Sequence, residues 1–262
     1  MIDSPTNTVS ATIGVGLRPE SVSTDPQFGV CVTNGGDNTM SLIDPFNTVV
    51  ATIGLEGAPG PPVRATRVAV DHILSRAYVT NRLGDRMSIV HISGDPLPFA
   101  HDFIDVLNSF GVAVDPMNHR VYVTRPDFDA VSVIDPATNE VIETVPVRQQ
   151  PTGIAVDAQR QRVYVTNSGS DTVSLIDAVT GDVSDIDVSA SPHDVTVDSR
   201  GNAYVTHPDG TIQVIDSLST SVTATLSVGP QPEGLAFEPH SDRLYVANTG
   251  NDTVAAIGLA TP

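Results

Sequence analysis

The sequence repeats one short phrase six times, and this repetition limits the possible fold more than any other feature. The phrase is "YVTN" or a close variant, and its copies begin at Cys31, Tyr78, Tyr122, Tyr164, Tyr204 and Tyr245. Successive copies begin 47, 44, 42, 40 and 41 residues apart. A chain built this way is expected to stack similar units, each covering the apolar face of the next. All five tyrosines occupy this position, so Cys31, which occupies the sixth, is predicted to be a buried core residue.

Within each copy, apolar and polar residues alternate with the period of a β-strand. The fourth copy shows four such stretches: "TGIAVD" (152–157), "RVYVTN" (162–167), "TVSLID" (172–177) and "GDVSDIDV" (181–188). Short runs rich in turn-forming residues separate them. Four short antiparallel strands in about 40–45 residues are typical of one blade of a β-propeller.

The sequence resembles the YVTN-family β-propeller repeat proteins over nearly its whole length. The residues that carry the resemblance are the "YVTN" copies and the following "SLID" or "SVID" at 41–44, 132–135 and 174–177. The resemblance implies a propeller. It implies little about function, because related propellers serve as enzymes, cofactor-bearing domains and adhesion modules.

We therefore predict a single all-β domain over 1–262, a six-bladed β-propeller of four-stranded antiparallel blades. The last copy contains three strands, and the N-terminal strand at 8–13 is predicted to complete it and close the ring. The alternative is a seven-bladed ring whose seventh blade is missing from this chain. The six copies lie near 18–53, 64–106, 108–147, 150–188, 191–228 and 231–258.

The charge of the chain limits the classes of partner that it is expected to bind. The formal net charge is −18, from 31 acidic residues and 13 basic residues, all of them arginine. Such a surface repels phosphate groups, which argues against nucleic acid and anionic membranes and leaves a small molecule or another protein. The N-terminus lacks a basic and apolar leader, and no apolar run is long enough to span a membrane. These features predict a cytoplasmic protein, with a secreted mature form as the alternative.

Much of the acidity has a structural explanation. Ten aspartates end the first or third strand of a copy, where a carboxylate can accept hydrogen bonds from the backbone of the following turn. They are Asp3, Asp25, Asp44, Asp71, Asp115, Asp135, Asp157, Asp177, Asp198 and Asp216. None is predicted to be catalytic.

Candidate site residues are the places where one copy departs from the others. The resemblance implies a binding site at the mouth of the central channel, beside the residue that precedes each first strand. That position reads Glu20, Thr66, Phe110, Thr152, His193 and Glu233. Ring closure is expected to bring His193, Glu233 and Glu20 onto one arc of the mouth, with Asp194 and His207 on the same side. The opposite arc carries Arg67, Phe110 and Arg125.

These residue types suggest two kinds of chemistry. The imidazole of His193 with the carboxylates of Glu233 and Glu20 can bind a divalent metal such as Mg²⁺, Ca²⁺, Mn²⁺ or Zn²⁺, which then polarises a carbonyl or acidifies water. Without a metal, His193 is a candidate general base oriented by a carboxylate. Arg67 and Arg125 are candidate clamps for a ligand anion. The alternative is that all these side chains are solvated and have no function.

The sequence thus favours a small-molecule site with lyase, isomerase or hydrolase activity. "SPHD" (191–194) and "QPEG" (231–234) are similar to loops of virginiamycin B lyase-type propellers. The aromatic-rich second-strand motif of that family is missing, so its reaction is not carried over. No nucleophile elbow, P-loop, dinucleotide fingerprint or HExxH motif occurs. The alternative is a non-catalytic scaffold or ligand-binding module.

Overall fold

The computed structural model describes residues 1–3, 6–55, 64–82, 84–92 and 101–259, and nearly all of their regular structure is β-strand. The predicted all-β fold, a six-bladed β-propeller, is confirmed: six antiparallel sheets follow one another along the chain. Across these residues, no helix is long and apolar enough to cross a membrane. The described helical structure is one 3₁₀ turn at Pro126–Phe128.

The described chain divides into two compact units, each containing three blades. The first unit comprises Met1–Ile2, Val9–Asp127 and Val131–Thr144. In each of its blades, four strands pair in sequence order. Blade 1 contains β3 (Pro19–Asp25), β4 (Gly29–Asn34), β5 (Thr39–Ile43) and β6 (Val49–Gly54). Blade 2 contains β7 (Arg64–Asp71), β8 (Arg76–Arg82), β9 (Arg86–His91) and β10 (His101–Asp105). Blade 3 contains β11 (Val112–Asp115), β12 (Arg120–Arg125), β13 (Ala130–Asp135) and β14 (Glu140–Pro146).

The second unit comprises Asp3–Thr8, Phe128–Ala130 and Val145–Pro262. Its blades have the same strand order. Blade 4 contains β15 (Pro151–Asp157), β16 (Arg162–Asn167), β17 (Thr172–Asp177) and β18 (Val183–Asp187). Blade 5 contains β19 (Val195–Val197), β20 (Ala203–His207), β21 (Thr211–Ile215) and β22 (Val222–Ser227). Blade 6 contains β23 (Pro232–Glu238), β24 (Arg243–Asn248) and β25 (Thr253–Gly258).

The hydrophobic cores lie between neighbouring blades. In β8, Tyr78 belongs to a cluster shared with blade 3, whereas Ala77 and Val79 belong to a cluster shared with blade 1. Successive side chains of a strand point to opposite faces of its sheet. A strand whose sheet is covered by a neighbouring blade on each face must therefore be apolar or closely packed on both faces. This requirement explains why the second strand of each copy is the most strictly repeated part of the sequence.

The tyrosine position is part of these cores, as predicted. Tyr78, Tyr122, Tyr164 and Tyr204 are at most 4% exposed, and Cys31 is fully buried. Tyr245 is half-buried. Burial, with a smaller contribution from Asp25, raises the pKa of the Cys31 thiol to about 12. Cys31 therefore occupies the tyrosine position of the repeat as a small, buried, neutral side chain.

The aspartates that end strands hold turns, as predicted for the described side chains. Asp25 Oδ1 accepts hydrogen bonds from the amides of Gln27 and Phe28 at 2.7 and 2.9 Å. Asp177 accepts from two turn amides in the same way, at 2.8 and 2.9 Å. These bonds to backbone N–H groups lower the pKa of Asp177 and also that of Asp216. A large part of the acidic composition thus has a role in turns.

A buried threonine in the second strand ties blade 1 to blade 2, blade 2 to blade 3 and blade 4 to blade 5. Thr166 Oγ1 accepts a hydrogen bond from the Gly153 amide of its own blade at 2.8 Å and donates to the His193 carbonyl of blade 5 at 3.0 Å. In the first unit, Thr80 accepts from the Arg67 amide at 3.1 Å and donates to the Phe110 carbonyl at 2.6 Å. We call this pair of bonds the threonine clasp. It holds in place the segments that carry the candidate site residues.

The N-terminal segment differs from the predicted closing strand. Within the described residues, the last sheet contains three strands, while β2 (Thr8–Val9) pairs with β1 (Ile2–Asp3). Residues 10–13 lie outside strands. A side-chain bond does reach the last blade, where Arg243 Nη1 donates to Asn7 Oδ1 at 2.8 Å. Closure of blade 6 by 8–13 stays a prediction.

Replacement of Tyr164 by alanine is expected to lower the free energy of unfolding by about 3–5 kcal/mol, because it empties a fully buried aromatic site. The tyrosine hydroxyl also loses its bond to the Gly201 carbonyl at 3.4 Å. Tyr245→Ala is the matched control and is expected to cost less, because Tyr245 is half-buried. Urea denaturation measures both; a loss under about 1 kcal/mol for Tyr164→Ala would contradict this assignment.

Candidate functional site

The two predicted site glutamates lie at β-bulges. The pairing of β3 with β4 shifts register between Pro19 and Ser21, and that of β23 with β24 shifts between Pro232 and Gly234. Glu20 and Glu233 are the residues at these shifts, so they lie within the first strands rather than just before them as expected. A bulge leaves one residue unpaired and redirects its side chain. β-Bulges thus set the direction of the Glu20 and Glu233 side chains.

His193 lies in a segment where the first strand is short. Blade 5 begins its strand only at Val195, and His193 precedes it without strand structure. The His193 Nδ1 atom is 3.0 Å from the backbone carbonyl of Glu233. A carbonyl oxygen only accepts, so Nδ1 must carry the proton and donate. In the neutral imidazole, Nε2 then holds the lone pair.

Asp194 has its two carboxylate oxygens occupied by backbone groups. Oδ1 accepts from the Val195 amide at 3.0 Å, and Oδ2 accepts from the Leu235 amide of blade 6 at 3.2 Å. A side chain at the Gly153 position would place its Cβ 2.7 Å from the Asp194 Cα atom, closer than ordinary contacts allow. The "HD" pair of copy five and the glycine of copy four are therefore complementary parts of one junction.

Glu20 has a different partner from the predicted one. In the first unit, Glu20 Oε1 accepts from Arg64 Nε at 2.7 Å and lies 2.5 Å from Arg64 Nη2. Its side chain is 16% exposed. His193 and Glu233 belong to the second unit, where His193 contacts the Glu233 carbonyl and not its carboxylate.

Over the described ranges, no three His, Cys, Asp or Glu side chains are grouped as metal ligands. The divalent metal thus gains no support from these contacts.

The structure brings two of the predicted ligand-binding residues of the first unit together and adds a third. The guanidinium carbon of Arg67 lies 5.7 Å from the centre of the Phe110 ring. Arg82, which the sequence comparison missed, lies 5.4 Å from the same centre. Arg82 directly follows "YVTN" in copy two, and this departure from the other copies is the signal that points to it. Arg125 Nε donates to the Leu107 carbonyl at 3.3 Å.

His207 occupies the interior of blade 5. It stands where other copies have asparagine, and those asparagines bond to hydroxyls of the third strand: Asn34 Nδ2 donates to Thr39 and Ser41, and Asn167 Nδ2 to Thr172 and Ser174. His207 is fully buried, and its Nδ1 lies 3.3 Å from the Ala190 carbonyl. Its Nε2 has no hydrogen-bond partner in the part of the chain that the structure describes. Burial is the main cause that lowers the pKa of His207.

No protein-family model matches the sequence, and no curated protein is similar to it. Solved structures are similar in fold. Hydrazine synthase from Kuenenia stuttgartiensis has a TM-score of 0.82 at 14% identity, covering 100% of this chain and 89% of that one. Virginiamycin B lyase from Staphylococcus aureus has a TM-score of 0.71 at 13% identity, with 93% and 85% covered. A chain of a Mitotic Checkpoint Complex has a TM-score of 0.81 at 13% identity, with 99% and 81% covered. At these identities the similarity establishes the propeller fold alone.

Replacement of His207 by asparagine is expected to flatten the dependence of stability on acid pH. Because the folded-state pKa of His207 is lowered, the unfolded chain takes up a proton near pH 6.5, the ordinary pKa of histidine, while the folded chain does not. Stability is therefore lost as pH falls below 6.5, by at most about 1.4 kcal/mol per pH unit. His207→Asn removes this loss, whereas His72→Asn, at an exposed histidine, keeps it. Urea denaturation between pH 5 and 8 measures the difference, and parallel curves for wild type and His207→Asn would contradict it.

Proposed function

We propose that this chain binds a small molecule at the junction of blades 5 and 6 and that His193 transfers a proton there through Nε2. The observation that carries the proposal is the bond between His193 Nδ1 and the Glu233 carbonyl at 3.0 Å. A fixed Nδ1 proton sets the tautomer and leaves Nε2 as an acceptor, the arrangement that a general base requires. His193 is half-buried, so part of the residue is open to solvent.

The backbone around His193 is rigid enough for this role. The His193 amide donates to the Thr206 carbonyl at 2.9 Å, and its carbonyl accepts from the Thr152 and Thr166 hydroxyls at 3.0 Å each. A catalytic group held at both backbone atoms and at one ring nitrogen loses little freedom when a substrate binds. Glu233, exposed beside this ring, is the second group that we assign to the site.

The reaction class that we assign is elimination, isomerisation or hydrolysis, each of which needs one proton removed. One structural neighbour gives this choice a precedent: a histidine-to-alanine variant of virginiamycin B lyase from Staphylococcus aureus, with Quinupristin, is described as catalytically inactive. That description concerns the neighbour, and its identity to this chain is 13%. Quinupristin is therefore a probe for this chain and not its assigned substrate.

A second candidate function, a non-catalytic binding module, is favoured by one specific contact. In blades 2, 3 and 5, the carbonyl at the position equivalent to Glu233 accepts a hydrogen bond from a threonine of the preceding blade, as when Thr80 donates to Phe110. At blades 5 and 6 the His193 ring donates to that carbonyl. On this interpretation, the His193 ring replaces the threonine hydrogen bond that joins two blades elsewhere, and its Nε2 has no catalytic role.

His193→Asn separates the two functions, because the asparagine amide can reproduce the Nδ1 donor but offers nothing at the position of Nε2. We expect His193→Asn to keep the melting temperature and to lower turnover by about a hundredfold or more. His193→Ala is expected to lose both turnover and about 1 kcal/mol of stability, the usual worth of one hydrogen bond. Thr80→Val, which removes a tie in the first unit, is the control that loses stability and keeps turnover.

The measurement follows conversion of quinupristin by mass spectrometry and hydrolysis of p-nitrophenyl acetate by absorbance. Turnover by His193→Asn at the wild-type rate would exclude the catalytic role and favour the binding module. Absence of turnover by the wild-type protein with both probes would contradict the assigned elimination and ester hydrolysis.

A further inference from the structure

We infer that the first unit contains a binding site for a small oxyanion, a carboxylate or phosphate group, formed by Arg67 and Arg82 around the ring of Phe110. This site is independent of His193, which belongs to the second unit. The two guanidinium carbons lie 5.7 and 5.4 Å from the centre of one ring. A guanidinium that rests against an aromatic ring keeps its N–H edge available for a planar or tetrahedral anion.

Among the described residues, the arginines of this site lack the carboxylate partners that several other arginines have. Arg86 pairs with Asp105 at 2.7 Å, and Arg148 pairs with Asp185 at 2.6 Å. Arg64, directly opposite Arg82 in the pairing of β7 with β8, is neutralised by Glu20. Across the described residues, no salt bridge joins Arg67 or Arg82 to a carboxylate. Their guanidinium groups contact the Phe110 ring, and their backbone amides donate to the hydroxyls of Thr80 and Thr66.

This lack of partners is significant in a chain of net charge −18. Two arginines that share one aromatic ring, with no carboxylate partner among the described residues, form a local excess of positive charge that an anion can offset. Arg64 and Arg82 are like charges on directly opposed strand positions, which destabilises a sheet unless a partner intervenes. Glu20 relieves one of them, and a bound anion would relieve the other.

The site is built on fixed backbone. Phe110 accepts from the Thr80 hydroxyl at 2.6 Å and its amide donates to the Thr124 carbonyl at 3.0 Å. The Arg67 amide donates to the Thr80 hydroxyl, and the Arg82 amide donates to the Thr66 hydroxyl at 3.2 Å. The backbone at all three residues is therefore held by buried threonines before any ligand arrives. Such preorganisation lowers the entropic cost of binding.

Titration calorimetry of the full chain at low salt with succinate and with inorganic phosphate tests the inference, with uncharged succinamide as the blank. We expect saturable binding of at least one anion, weakened about tenfold or more by Arg67→Gln and by Arg82→Gln, because each removes charge-assisted hydrogen bonds. Phe110→Leu is expected to weaken it as well. Arg86→Gln, which removes an equal charge from the same blade, is expected to leave the affinity unchanged.

Glu20→Gln provides a test of opposite sign. It removes the carboxylate that occupies Arg64, so anion affinity is expected to rise, and the rise is expected to shrink with added salt. Unchanged melting temperatures of the arginine variants confirm that they fold. The inference is overturned if neither anion binds more tightly than succinamide, or if Arg86→Gln weakens binding as much as Arg67→Gln and Arg82→Gln do. His193→Asn is expected to retain anion binding, which separates this site from the catalytic proposal.

Discussion

The threonine clasp is the interaction that fixes the backbone at the centres of both proposed sites. A single hydroxyl in the second strand accepts from its own blade and donates to the next one, as Thr166 and Thr80 show. Both hydroxyls are fully buried, so an unfilled clasp would leave a desolvated carbonyl without a donor. The residue whose carbonyl is clasped therefore has a fixed backbone. Its side chain takes no part in the clasp, so the side chain can differ from one blade to another. His193 and Phe110, at the centres of the two proposed sites, are both clasped in this way.

A second repeated contact shows how a departure from the repeat at one position affects a residue on the next strand. In blades 1, 2 and 4, a buried asparagine of the second strand donates to a serine of the third strand, as Asn81 does to Ser88 at 3.1 Å. In blade 3, Arg125 replaces the asparagine, and the hydroxyl of Ser132 is buried without a partner. In blade 5, His207 is accompanied by Gln213, whose Oε1 accepts from the Ser189 amide at 2.8 Å. A change at one position thus alters what its neighbour can bond.

The sequence was sufficient to predict the strands, the blades and the buried tyrosine position, because these depend on local alternation and on packing that every copy shares. The turn aspartates were predictable for the same reason, since their partners lie two to four residues away. The pairing of Glu20 with Arg64 was not, because the two are 44 residues apart and Arg64 lies outside the positions compared. The bulges and the contact of Arg82 with Phe110 also could not be predicted. They depend on the register and distance between residues on different strands, and the periodicity of a single strand gives no information about either. Periodicity also did not predict that Thr8–Val9 pairs with Ile2–Asp3.

The cysteine that replaces a tyrosine in blade 1 has a consequence for the environments in which the fold can persist. With its pKa raised to about 12, Cys31 carries almost no thiolate near neutral pH, and the thiolate is the form that reacts with oxidants and disulfides. It is also fully buried, so a reagent reaches it only after the blade opens. The Cys31 thiol is therefore protected from oxidation while the blade stays folded, and as the single cysteine of the chain it has no partner for an internal disulfide.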